Sequence, residues 1–377
     1  MALRGWGLAI ALAACGGDKG EPDGPPQDTD AGEPPGDDTP ADAPADSSPA
    51  EPAPDDAPRA GDDASVVVFD RTPVYFAGAD NRREVDARAS FPSDGAYSRV
   101  TLRLALDCPG GGCDPWDRLG SLSLVAPGEA GGEAVLELVR FVTPYGVGGA
   151  WDIDVTELRP LLSGDVALRA FIDTWVGPGS PYGDGWLLSA RFEMTGGVPS
   201  PLPVAVAPIW APRMAPYGDP ARPIASTIAA VSVAVPAATS FALRTLVTGH
   251  GQGNLDNCGE FCSRTHAVVV GGQRHEQVVW RDDCETTAVQ PQAGTWRYPR
   301  AGWCPGADVR PWRVDVTADL APGAPATIGY DVEAYENTCR PDAASCGGCV
   351  FGTSCAYDGG AHTEPGWYVS GLLIAYR

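Results

Sequence analysis

The chain has 377 residues, 49 Asp and Glu against 26 Lys and Arg, a net charge of −23 and no basic run, a balance that argues against nucleic acid as a partner. Its single lysine is Lys19, so everything beyond that position lacks the means for a Schiff base, a P-loop or a Ser–Lys pair. Four scattered histidines, His250, His266, His275 and His362, show neither H-x-H nor H-E-x-x-H spacing, so metal catalysis is not expected and no cofactor is implied.

Residues 1–15, "MALRGWGLAIALAAC", carry one positive charge at Arg4 and an apolar run from Trp6 to Ala14. That run is too short to span a bilayer and reads as an export signal. Its ending resembles the lipobox of bacterial lipoproteins, which implies cleavage before Cys15 and acylation of that cysteine. The expected location is an exported lipoprotein held to a membrane by its lipid, at the outer membrane facing the periplasm or the cell surface. Residues 16–64 hold fifteen Asp or Glu against Lys19 and Arg59, with repeated Pro, Ala and Gly. Such a segment cannot bury enough apolar surface to offset its ordering entropy, so a disordered acidic spacer is expected.

The body, 65–377, reads as strands throughout. In chain order they are 65–69, 99–106, 121–125, 134–142, 166–176, 186–194, 203–210, 226–235, 241–249, 265–272, 313–320, 327–335 and 367–377, short runs rich in Val, Ile, Leu and aromatics between Gly, Pro and Asp turns. Without alternating helices, this pattern predicts antiparallel sandwiches. A Gly/Pro cluster, "TGGVPSPLP", suggests two β domains at 65–197 and 203–377, joined by a linker at 198–202. Ten cysteines remain after Cys15, and in an exported chain an even number points to five disulfides. Cys108 with Cys113, and Cys258 with Cys262, would close small loops, and Cys284 would pair with Cys304. Cys339, Cys346, Cys349 and Cys355 form a separate cluster of open pairing, whose spacing would also suit zinc but for the oxidising compartment.

Two cysteines, two carboxylates, a tryptophan and an arginine crowd into "CPGGGCDPWDR" (108–118). With "RFVTPYGVGG" (140–149), "IDVTELRPLLSG" (153–164), "NCGEFCSRTH" (257–266) and "RAGWCPG" (300–306), this stretch resembles, in the same order and at comparable spacing, the peptide-N-glycosidase F family of bacterial amidases. The resemblance implies an all-β fold of two antiparallel jelly rolls packed side by side, with the active site between them. It also implies hydrolysis of the bond between asparagine and the first N-acetylglucosamine of N-linked glycans, so the partners expected are N-glycopeptides or N-glycoproteins recognised by their chitobiose core. The protein is expected to be a monomer.

Carried over residue by residue, the resemblance makes Asp117 the primary catalytic carboxylate and Glu260 the carboxylate that works through a bridging water. Arg118 and Arg300 match arginines near the cleft, and Trp175 and Trp303 match tryptophans placed to stack on sugars. Trp116 is read as packing. The sequence departs from the family where a glutamate that hydrogen-bonds the second N-acetylglucosamine is replaced by Asp173, shorter by about 1.5 Å, and where a cleft tryptophan is replaced by His250. Residues 337–361, with four cysteines, look like an insertion. These departures motivate a second reading, a glycan-binding surface lipoprotein with little or no turnover. Copper monooxygenases share a paired jelly-roll architecture, but they need clustered His and Met ligands that this chain lacks.

Overall fold

The computed structural model describes residues 58–128, 131–254, 258–357 and 360–377. The export signal, Cys15 and the spacer up to residue 57 lie outside the described residues. Strand residues alternate as a half-buried sheet demands. In Tyr97–Asp107, Val100, Leu102, Leu104 and Leu106 point into the core, while Arg99, Arg103 and Asp107 stay exposed.

The strands build two sandwiches. In the first, one sheet runs β2 (Asp80–Arg82), β1 (Ala64–Ala77), β9 (Trp186–Gly196), β4 (Tyr97–Asp107) and β7 (Gly149–Asp154). The facing sheet runs β6 (Glu133–Val142), β5 (Leu119–Pro127), β8 (Gly164–Ile172) and β3 (Glu84–Phe91). In the second sandwich, β10 (Pro203–Pro216), β20 (Gly366–Tyr376), β12 (Ser240–His250) and β16 (Trp312–Asp315) face β11 (Val231–Ala234), β17 (Pro325–Val332), β13 (Arg264–Val270) and β14 (Gln273–Val279). All these strand pairings are antiparallel, and the architecture is the paired jelly roll.

The strand expected over 226–235 is shorter, β11 alone, because Ile224–Ser226 turns as a 3-10 helix. The run expected over 166–176 ends as a strand at Ile172, which leaves Asp173–Val176 free to form a loop. Three strands with weak sequence signals, β3, β7 and β14, complete the sheets as edges.

One strand shows how the two sandwiches join. In β20, Trp367, Val369, Leu373 and Ala375 enter the core of the second sandwich, whereas Leu372, Ile374 and Tyr376 enter the core of the first. Side chains alternate across a strand, so β20 is buried on both faces. A short segment of the second half, β15 (Ala307–Asp308), pairs with Val142 and Phe141 at the edge of the first sandwich. Between the halves, Arg140 and Glu137 are both fully buried and meet at 2.6 Å. Arg140 also donates to Thr248 Oγ1 at 2.9 Å and to the Tyr368 carbonyl at 2.6 Å.

All ten described cysteines are bridged: Cys108–Cys113, Cys258–Cys262, Cys284–Cys304, Cys339–Cys346 and Cys349–Cys355. The first three are the pairings that spacing suggested; the last two resolve the cluster left open.

Candidate active site

After β4 the chain enters a loop that has almost no freedom. The Cys108–Cys113 bridge closes its first turn, and Gly111 N–H donates to Asp184 Oδ2 at 3.0 Å. Gly183, at φ +134°, lies so near that a Cβ there would meet the Cys113 carbonyl oxygen at 2.4 Å, so a larger residue would push the two loops apart. Asp114 is completely buried and accepts from Trp116 N at 3.0 Å, Arg118 Nε at 2.9 Å and Thr174 Oγ1 at 2.7 Å. Thr143 closes the far side, its Oγ1 accepting from Arg118 N at 2.8 Å and its N–H donating to the Arg118 carbonyl at 2.9 Å. Asp117 sits inside this frame with its carboxylate 19% exposed. Tyr145 Oη donates to its Oδ2 at 2.8 Å. Burial raises the Asp117 pKa, opposed by that hydrogen bond and by the charges of Arg300 and Arg118.

The second carboxylate comes from the other sandwich, in a loop closed by Cys258–Cys262. Glu260 N–H donates to the Gly251 carbonyl at 2.8 Å, and its own carbonyl accepts from Ala301 N at 2.9 Å. Gly259, at φ +112°, passes so close to residues 250 and 251 that a Cβ would meet their carbonyl oxygens at 2.4 and 2.7 Å. Glu260 is pushed up to about 7, first by burial and also by the nearby Asp117 charge, with Arg300 pulling the other way.

Arg300 ties the two carboxylates together. It has no solvent exposure, and its Nε donates to Glu260 Oε1 at 2.9 Å while Nη2 lies 3.9 Å from Asp117 Oδ2. Its remaining donors reach the carbonyls of Thr295 and Tyr298, both at 2.9 Å, and Thr295 Oγ1 at 2.8 Å. A guanidinium spent this way is rigid, so both carboxylates are referenced to one planar fork. Tyr145 Oη also lies 3.2 Å from Thr295 Oγ1, closing a ring of polar contacts between the two sandwiches.

Residues 128–180 match the family model described as peptide-N-glycosidase F, N terminal, and residues 222–347 match its C-terminal counterpart. Both halves of the peptide-N-glycosidase F family are thus recognisable in this chain. It is 28% identical over 298 residues to the peptide-N(4)-(N-acetyl-beta-D-glucosaminyl)asparagine amidase F of Elizabethkingia miricola, covering 74% of this chain and 80% of that one. Among solved structures it resembles recombinant peptide N-glycanase F, with a TM-score of 0.67 at 24% identity over 84% of this chain and 96% of that chain. It also resembles PNGF-II, with a TM-score of 0.60 at 16% identity over 83% of this chain and 65% of that chain. The N-terminal family match begins after Asp117, so the placement of that carboxylate rests on the hydrogen bonds above.

The remaining residues carried over from the peptide-N-glycosidase F family fall on two sides of the carboxylates. Asp173 and Trp175 flank Thr174, whose hydroxyl bonds Asp114, so they are fixed to the same turn as Asp117. Trp175 is 54% exposed, and the Asp173 carboxylate is 46% exposed. Arg118 binds Asp114 instead of either catalytic candidate, and its guanidinium lies 5.2 Å from the Trp116 ring centre. Trp116, read from sequence as packing, is instead 41% exposed, with Tyr182 edge-on at 5.3 Å. Trp303 offers no stacking face: it is buried, with the Arg300 guanidinium at 4.9 Å and the His250 ring stacked at 5.5 Å. Its Nε1 donates to the Gly249 carbonyl at 2.7 Å, so it supports the wall behind the arginine. His250 Nε2 lies 2.8 Å from Thr248 Oγ1, and burial with the Arg140 charge lowers its pKa to about 3, which keeps the ring neutral.

Sequence reasoning missed Tyr145, Thr143, Thr174 and Thr295. Tyr145 and Thr143 lie within the 140–149 motif, so a signal existed. Thr295 carried none.

Proposed function

We propose that the protein is an amidase that hydrolyses the glycosylasparagine bond of N-linked glycopeptides and glycoproteins, releasing the glycan as a glycosylamine and leaving aspartate in place of asparagine. The observation that carries this reading is the bridge from Glu260 through Arg300 to Asp117, one carboxylate from each sandwich on one buried guanidinium. In the reaction a water oxygen bonds to the asparagine side-chain carbonyl carbon and the C–N bond breaks. A proton from that water passes to the leaving nitrogen. Asp117, braced by Tyr145 and close to neutralising charge, is the group at the linkage; Glu260, half protonated near neutral pH, orders the water and shares the proton. Asp173 and Trp175 hold the chitobiose core, Trp175 through its exposed indole face.

The remaining features complete the proposal. Lipidation at Cys15 would anchor an exported, monomeric enzyme to a membrane, with the acidic spacer letting the body, as domains 65–197 and 203–377, reach substrate. Incorporation of labelled palmitate that Cys15→Ser abolishes would support the anchor.

Mass spectrometry of a defined N-glycopeptide incubated with the protein tests the chemistry. The expected product is the bare peptide about one dalton heavier, as Asn becomes Asp, and Asp117→Asn should slow its appearance by roughly 10³-fold. A product retaining one N-acetylglucosamine would overturn the amidase reading. Binding without any change of mass would favour the glycan-binding alternative.

A further inference from the structure

Arg83 stands where the chain crosses from β2 to β3, from one sheet of the first sandwich to the other. Its carbonyl accepts from Ile172 N at 2.9 Å, beside the end of β8 where the Asp173 loop begins. Its Nε donates to Asn81 Oδ1 at 3.1 Å, and Nη1 lies 3.4 Å from Asp173 Oδ1. The guanidinium carbon is 4.3 Å from the Trp175 ring centre and 5.0 Å from that of Phe76, and the two rings are 5.3 Å apart. These three distances form a triangle in which each group touches the other two. The arginine is 22% exposed and Trp175 is 54% exposed, so the indole keeps an open face while the guanidinium covers part of it. Nη2 makes no hydrogen bond among the described residues.

Chemically this edge has changed character. A carboxylate offers only acceptors, whereas a guanidinium offers only donors. With Asp173 one methylene short and already facing Arg83, the group with reach and spare hydrogen-bonding capacity is the arginine.

We propose that Arg83 is a specificity-determining residue that donates hydrogen bonds to acceptor oxygens, hydroxyl or acetamide, of the second N-acetylglucosamine, supplying the reach that Asp173 lacks and holding Trp175 in place. This rests on the amidase reading for its substrate, but its binding content can be tested without turnover. A sugar seated on Trp175 would then be recognised by its acceptors at this edge, and a substrate truncated to one sugar would never meet Arg83.

The test compares the full chain with Arg83→Ala, Arg83→Lys and the double change Arg83→Ala with Asp173→Glu. Two glycopeptides of one sequence, carrying either one N-acetylglucosamine or chitobiose, are the substrates, and calorimetric titration with free chitobiose is the parallel readout. In Arg83→Ala, the ratio of kcat/KM for the chitobiose peptide over the single-sugar peptide should fall about tenfold, through KM, as expected for a lost charge-assisted hydrogen bond. Restoring length with Asp173→Glu should recover part of that ratio; Arg83→Lys, which keeps charge without the planar fork, should fall between. An equal loss on both peptides, or no loss of chitobiose affinity, would overturn the proposal. If the unaltered protein cleaves neither peptide the amidase reading fails, and weaker chitobiose binding by Arg83→Ala would still uphold the role of the arginine.

Discussion

Glu260 gives the sharpest test because it couples catalysis to stability with a definite sign. Burial moves its pKa from 4.5 up to about 7. Below about pH 4.5, folded and unfolded chains both hold the proton, and the residue has no linkage effect. Between about 4.5 and 7 the unfolded chain releases its proton first, so the folded state loses about 1.4 kcal/mol of stability per pH unit. Above 7 the accumulated penalty is constant at about 3 kcal/mol. Glu260→Gln keeps the shape of the neutral acid and cannot ionise, so it should remove that penalty. The variant is therefore expected to match the unaltered protein at pH 4 and to be about 3 kcal/mol more stable at pH 8, while its deglycosylation rate falls by 10²-fold or more. Urea unfolding at the two pH values, analysed for midpoint and slope, measures the difference. A Glu260→Gln protein no more stable than its parent at pH 8 would refute the argument, because it would mean that Arg300 fully compensates the buried charge.

Other consequences follow from the same contacts. Tyr145→Phe removes the hydroxyl that donates to Asp117 at 2.8 Å; that bond holds the Asp117 pKa down, so the acidic limb of the kcat/KM profile should move to higher pH, with activity falling more on the acidic side than at neutral pH. An unmoved limb would remove Tyr145 from the site. Arg140→Met strands Glu137 in the interior and should cost about 3–5 kcal/mol in chemical denaturation, most of it recovered by adding Glu137→Leu. Replacing Cys258 and Cys262 by serine opens a short loop worth about 2 kcal/mol in the chain-entropy account. It should lower kcat by more than the matching change at Cys349 and Cys355, because only the first bridge holds a candidate catalytic carboxylate.

What could be read in advance divides along physical lines. Central strands such as β4, β12 and β20 are apolar enough to announce themselves. The strands without a strong signal, β3, β7 and β14, are all edges; β14 exposes five of its seven residues, and β3 turns Val85, Ala87 and Ala89 inward only half-buried, with Phe91 at its end the one fully buried side chain. Edge strands avoid apolar surface because they have an unpaired side, so their sequences look like loops. Within the site, motif residues close together in the chain were visible, and Asp117, Glu260 and Arg300 do converge. Their braces were not: Tyr145 reaches Asp117 across 28 residues and meets Arg300 across 155. The tryptophans show a second limit. Composition identifies an aromatic but not which side of a wall it lines, and Trp303 turned out buried while Trp116 is exposed.

The two-faced burial of β20 bears on how this chain could be divided. A fragment ending near residue 200 would carry a core missing Leu372, Ile374 and Tyr376, an unpaired edge at Phe141 and Val142, and the buried Arg140 without Thr248 or the Tyr368 carbonyl. Such a piece would be sticky in isolation, yet its missing surface is complementary to only one partner, the remainder of the same chain. The two halves are therefore natural material for a split reporter, silent apart and reassembling the Asp117–Arg300–Glu260 bridge only when brought together.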